Sequence, residues 1–249
     1  MTTKPVALVT GGGTGVGRAT VLRFASAGYN VAINYSRSQA DAESTASDAV
    51  ELFGASTITI ACDVSDESAC RAMIDSIASK FGRLDTLVNN AAMTHFVPAA
   101  NLEDMTEDKW DRILGVNLKG TFFCARAAAH LLKKSDNGSI INVSSVAGLT
   151  GSGSCIAYSA SKAAINNLTK SLALALAPEI RVNAVLPGPI DSRWIRDGDN
   201  DWDLSEMTAG FPIPRASSPD EIADGIIFFA TGTKMATGQL LAIDGGQTL

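Results

Sequence analysis

Residues 10–17 read TGGGTGVG. They follow a short, apolar, β-branched run, VALVT at 6–10, and precede a segment whose apolar positions recur with helical spacing to Ala27, where Gly28 ends it. A glycine cluster between a strand and a helix is the first turn of a βαβ unit. Gly11 is expected to make the turn, and Gly15 and Gly17 to permit close backbone approach and helix packing. The N–H groups of a helix N-terminus form an anion site, so Gly11, Gly13, Thr14, Gly15, Val16 and Gly17 are candidate contacts for a dinucleotide's pyrophosphate.

The same alternation continues outward. Strands are expected at Asn30–Tyr35, Thr57–Cys62, Thr86–Asn90, Ser139–Ser144, Arg181–Leu186 and Gln239–Ile243. Helices are expected at about 39–53, 67–81, 106–134 (with a break near Val116 to Lys119), 157–177 and 219–231. Alternating strands and helices imply right-handed crossovers and a parallel sheet covered on both faces. The 249 residues suit a single domain, 1–249, with no repeat and no linker. The irregular stretch 191–215 follows the C-terminal end of a strand, where open sheets bind ligands, and is expected to be a substrate lid. It carries Asp191, Asp197, Asp199, Asp201 and Asp203 with Trp194 and Trp202.

At the end of the second strand, an acidic residue would hold the 2′-hydroxyl of NAD. Here the sequence is Asn34-Tyr35-Ser36-Arg37. Ser36 can donate a hydrogen bond and Arg37 can pair with a phosphate, which favours NADP over NAD. The alternative is that Arg37 is only the solvated start of the next helix.

Tyr158 and Lys162 stand four apart on a predicted helix and share a face. A phenol is a poor acid/base at neutral pH, and a neighbouring ammonium would lower its pKa. Ser144 and Ser145 end the fifth strand just upstream, where a hydroxyl can reach the same carbonyl oxygen.

With these motifs in place, the chain resembles the short-chain dehydrogenase/reductase family, particularly the bacterial 3-oxoacyl-acyl-carrier-protein reductases. The resemblance rests on TGGGTGVG, Asp63-Val64, NNAA at 89–92, VNLKG at 116–120, SS at 144–145, YSASK at 158–162 and PGPI at 187–190, and it covers essentially the whole chain. It implies a Rossmann-like doubly wound domain with a seven-stranded sheet, and hydride transfer between NADP(H) and a ketone or secondary alcohol. Tyr158 would be the acid/base, Lys162 would bind the nicotinamide ribose, and Ser145 would orient the substrate. Asn117 would hold a water in a proton relay. Asp63 and Val64 would meet the adenine; Asn89, Asn90 and Ala91 would line the groove; Pro187, Gly188 and Ile190 would face the nicotinamide; and Ser192 would lie near the pyrophosphate. Two departures stand out: Ala92 replaces the family's glycine, and Thr14 replaces the basic residue of many NADP members. An NAD-dependent alcohol or sugar dehydrogenase, and a non-catalytic redox sensor, are the competing readings.

The family also implies a homotetramer packed through the Tyr158 helix and the long helix before it. The small faces Ala125, Ala128, Ala129 and Ala160, Ala163, Ala164 would permit close contact, or could pack on the sheet instead. A net charge of −6 argues against nucleic acid and anionic membranes as partners. No apolar run is long enough to span a bilayer, and no signal peptide is evident between Met1 and Pro5, so a cytoplasmic protein is expected. Cys62, Cys70, Cys124 and Cys155 read as reduced, buried thiols, and no metal site is expected. The substrate pocket is assigned to the lid, residues 93–97 and residues 146–156, with an aromatic wall from Trp194, Trp202 and Phe211.

Overall fold

The computed structural model describes residues 4–198 and 201–249. Its centre is β1 (Val6–Val9), buried along its whole length because both faces of the strand are covered. Successive side chains point to opposite faces. Val6 and Leu8 join one apolar cluster, while Ala7 and Val9 join the other.

Around β1 lie β2 (Asn30–Tyr35), β3 (Thr57–Ala61), β4 (Thr86–Asn89), β5 (Gly138–Val143), β6 (Ile180–Pro187) and β7 (Leu240–Ile243). The order is β3-β2-β1-β4-β5-β6-β7, and every pairing is parallel. The expected seven-stranded doubly wound sheet is therefore present. Helices α1 (Gly15–Ser26), α2 (Gln39–Phe53) and α10 (Pro219–Ile227) cover one face. Helices α3 (Glu67–Phe81), α5 (Gly120–Leu132) and α7 (Ile156–Leu176) cover the other. The chain winds outward from β1 in one direction and from β4 in the other, so a crevice opens above their C-terminal ends.

The expected break near Val116 to Lys119 is a widened turn rather than an interruption. Between α4 (Glu107–Leu114) and α5, residues Gly115–Lys119 form a π-helical turn with right-handed helical dihedrals on both flanks. The 191–215 stretch carries two short helices, α8 (Arg193–Arg196) and α9 (Leu204–Thr208), and another short one, α6 (Ala147–Thr150), follows β5. Asp199, one of the acidic residues of the 191–215 stretch, lies outside the described residues.

The small-residue faces divide. Ala125 and Ala128 are buried in the sheet-side cluster, whereas Ala160 and Ala163 are exposed. The inward alanines let α5 lie close on the sheet, so the outer face of α5 is not a smooth alanine stripe. It presents Phe122 and Phe123, with the Arg126 guanidinium 5.2 and 5.4 Å from their ring centroids. All four cysteines are free and buried. Among the described residues no helix is long and apolar enough to cross a membrane.

A buried carboxylate ties the bottom of the sheet together. Asp85, before β4, accepts from the Val6 N–H (2.8 Å), from the Ser135 hydroxyl (2.6 Å) and from Arg83 (2.7 Å). Burial pushes its pKa up, but these donors outweigh burial and hold it below the usual carboxylate range. The folded pKa is thus depressed, so this stabilisation is present above the ordinary aspartate pKa and is lost as pH falls through the folded value. Replacing Asp85 with Asn turns an NH2 toward fixed donors. The variant is expected to lose about 2 kcal/mol or more and to show a flatter acid limb in urea unfolding between pH 3 and pH 7, measured against wild type.

Candidate active site

One large cleft, of about 1000 Å³, follows the C-terminal edge of the sheet from β2 to Trp194, Trp202 and Met207. Its floor is the glycine turn. Gly11 adopts φ +61°, and its N–H donates to the Asn34 side chain at 3.2 Å. Asn90 braces the turn from the other side, donating to Thr10 O (2.9 Å) and Gly11 O (3.1 Å). The sequence alone gave Asn34 no role. Yet its Nδ2 also donates to Ile60 O of β3 at 3.3 Å and to Cys62 O just beyond it at 2.9 Å, so one amide links the turn to β3. A buried Asn at a strand end beside a glycine turn is the signal that could have revealed it.

Not every glycine faces the cleft. Gly11, Thr14, Gly15 and Val16 line it, whereas Gly13 and Gly17 do not. A Cβ on Gly13 would meet the backbone N of Ala42 at 2.9 Å, and one on Gly17 would meet Gly11 O at 2.1 Å. These two glycines let α2 and α1 close on the turn. They shape the cradle from behind rather than line it.

Ser36 and Arg37 border the far end of the cleft, and both are exposed. Asp63 and Val64 line it as well. Both Asp63 carboxylate oxygens are already engaged, one by Ser65 (2.7 Å) and one by Arg112 (2.7 Å). Burial raises its pKa, but Ser65 and Arg112 outweigh that and keep the group ionised. Asn90, Ala91, Pro187, Gly188, Ile190 and Ser192 complete the wall. Ala92 is accommodated there in place of the family's glycine.

Two expected residues lie elsewhere. Asn89 is buried and donates to Asn142 Oδ1 at 2.9 Å, a cross-strand bond beneath the cleft. Asn117 is 1% exposed and turned inward by the π-helical turn. Its side chain accepts from Met93 N (2.8 Å) and donates to Met93 O (3.0 Å) and to Ser161 Oγ (3.1 Å). Three of its four hydrogen-bonding positions are therefore used to fix the 93–97 loop to α7, and the side chain does not face the cleft. Phe211 does not line the cleft either, whereas Trp194, Trp202, Met207 and His95 do.

The reactive end is built where β5 meets α7. Cys155 caps α7, its Sγ accepting from Tyr158 N at 3.3 Å. Farther along the helix, Thr169 accepts from Asn142 (2.9 Å), and Ser144 Oγ donates to Asn166 Oδ1 (2.7 Å). These bonds set the register of α7 on the sheet. They place Ser145, Tyr158 and Lys162 together in the cleft, while the Ser144 hydroxyl is occupied inside. Lys162 is 2% exposed, and its Nζ donates to Val143 O at 2.8 Å. It stands 5.4 Å from the centroid of the Tyr158 ring.

The protonation states differ from the sequence expectation. Burial pushes the Tyr158 phenol up to about 12; the hydrogen bond from Ser145 opposes this but does not overcome it. Burial lowers Lys162 to about 7. The ammonium therefore does not depress the phenol in this structure. Desolvation disfavours the charged form of each group, and a single backbone carbonyl does not compensate the amine for lost water.

The model of the short-chain dehydrogenases matches residues 5–201. The chain belongs to this family. It is 39% identical over 242 residues to the 3-oxoacyl-acyl-carrier-protein reductase FabG of Staphylococcus aureus, with 96% of each chain covered. It is 38% identical over 246 residues to a protein of Streptomyces violaceoruber named for ketoacyl reductase 2 of the granaticin polyketide synthase, covering 98% of this chain and 96% of the relative. A crystal structure of a Burkholderia xenovorans protein assigned to the short-chain dehydrogenases/reductases superposes with a TM-score of 0.92 at 40% identity, covering 100% and 99% of the two chains. This chain is thus a nicotinamide-dependent oxidoreductase acting on a CH–OH/C=O pair.

The cradle fits such a cofactor on its own terms, because the turn, the N-terminus of α1 and the open cleft lie in one line and side chains are absent where backbone must approach. Substituting Gly17 with Ala forces α1 away from Gly11. The variant is expected to bind the reduced nicotinamide cofactor at least about 10-fold more weakly in a fluorescence titration, while far-UV circular dichroism still reports a folded α/β protein.

Proposed function

We propose that this chain reduces a ketone to a secondary alcohol with NADPH. The observation that carries this reading is the meeting of the Tyr158 and Ser145 hydroxyls in the cleft beside a buried Lys162. Bound NADPH supplies the hydride. Ser145 orients the carbonyl oxygen, and Tyr158, held in its acid form by burial, donates the proton that this oxygen needs as it becomes a hydroxyl. Lys162 holds the nicotinamide ribose. When protonated, its ammonium eases the phenol's loss of that proton. Asn117 acts through α7 as a positioning residue.

The pyrophosphate rests on Gly11, Thr14, Gly15 and Val16 at the start of α1, with Ser192 beside it. Asp63 and Val64 meet the adenine, and Asn90 and Ala91 line the groove between. Pro187, Gly188 and Ile190 face the nicotinamide. Ser36 and Arg37 meet the 2′-phosphate. Arg37 supports this because it is exposed at the cleft and, among the described residues, forms no ion pair with a protein carboxylate. Residues 191–215 serve as the lid of a single domain spanning 1–249. A homotetramer would cover the outer faces of α5 and α7, where Phe122, Ala160 and Ala163 are exposed.

Two variants test the reading. Tyr158→Phe removes the proton donor and keeps the ring. It is expected to lower kcat for ketone reduction at least about 100-fold while the NADPH dissociation constant changes little. Arg37→Ala is expected to raise the KM for NADPH about 10-fold or more, the loss of one charge-assisted contact, and to leave the KM for NADH unchanged.

A further inference from the structure

The lid places an indole beside the phenol. Trp194, on α8, has its ring 6.3 Å from the Tyr158 ring, tilted by 51°. It lines the cleft and is 40% exposed, so part of the indole is open on the cleft side of the lid. Its position is held from both sides in sequence. Arg193 pairs with Asp41 of α2 at 3.1 Å, and Arg196 pairs with Asp191 at 2.6 Å. A second aromatic contact bridges the lid and the 93–97 loop, with Phe96 and Trp202 edge to face at 5.3 Å. Met93 and Met207 add flexible apolar surface to the same cavity.

The indole packs beside the Tyr158 ring and lines the same cleft, so it stands next to the space open to a substituent of a carbonyl that reaches the Tyr158 hydroxyl. A flat π-face recognises a flat apolar group through offset or tilted stacking, which adds up to about 10-fold in affinity beyond the area buried. A linear alkyl chain gains the burial but not the stacking. We infer that Trp194 is a specificity-determining residue that selects ketones bearing a planar apolar ring next to the carbonyl. This inference rests on the ketone-reductase reading above.

The test compares acetophenone with 2-octanone, two ketones of equal carbon count, as NADPH-dependent substrates. For wild type, kcat/KM is expected to favour acetophenone by about 10-fold. In Trp194→Leu the two values should come within about 3-fold of each other, while Trp194→Phe keeps most of the preference. Binding is followed separately, without turnover, in the NADP-loaded protein. Acetophenone should quench tryptophan emission saturably in wild type and in Trp202→Phe, but not in Trp194→Leu. An unchanged substrate ratio in Trp194→Leu, or a wild-type preference for 2-octanone, overturns the inference. So does a loss in Trp194→Leu that is confined to NADPH affinity, which would make the indole a cofactor contact. Saturable quenching through Trp194 with no reduction of either ketone would sink the reductase reading and leave ring recognition standing. Reduction of both ketones at equal rates, without that quenching, would do the reverse.

Discussion

A buried amine hung from the end of a strand is the constraint on which the site depends. Lys162 Nζ donates to Val143 O at 2.8 Å, the last residue of β5. This bond crosses from helix to sheet at the point where the crevice opens. It can form only if α7 lies in one register, and that register also carries Tyr158 to Ser145. The other contacts in this region serve the same placement. Thr169 and Asn142 tie α7 to β5 below, Asn166 and Ser144 tie it in the middle, and Asn117 secures the loop opposite through Ser161. Buried polar groups without partners are costly, so such a ladder disfavours alternative registers as well as stabilising this one.

The same burial decides the chemistry. A phenol in water is a weak acid, and the sequence suggests that an ammonium four residues along would strengthen it. In the folded protein, loss of water acts on both groups first. It keeps Tyr158 protonated and brings Lys162 close to neutrality. A protonated phenol suits reduction, where a proton must be delivered to a developing alkoxide. A lysine poised near physiological pH can gain or lose its charge with small changes in its surroundings.

Most of the fold was legible in the sequence because the information is local. Short apolar strands alternate with amphipathic helices, a glycine cluster marks the first turn, and each strand was placed within a residue or two of its observed ends. The members of the site that face the cleft were legible for a related reason, since Tyr158 and Lys162 stand four apart on one helix and Ser145 lies just past the end of a strand. What escaped was non-local. Asn89 and Asn117 stand within the expected motifs, yet their side-chain directions depend on packing against β5 and α7, and the close approach of α2 leaves no room for a Cβ at Gly13. Asn34 carries no motif at all and earns its place by touching two strands and a turn. The protonation states were misjudged because spacing shows who is near whom but not how much water remains.

Burial, with a strand-end carbonyl as hydrogen-bond partner, brings the Lys162 amine down to about 7. Heteronuclear NMR of lysine Cε–Hε groups in the cofactor-free protein measures this directly, with Lys162→Met assigning the signal. One lysine is expected to titrate near pH 7. A Lys162 resonance that stays protonated until the ordinary lysine range, near ~10.4, would show that burial does not set the charge of this amine.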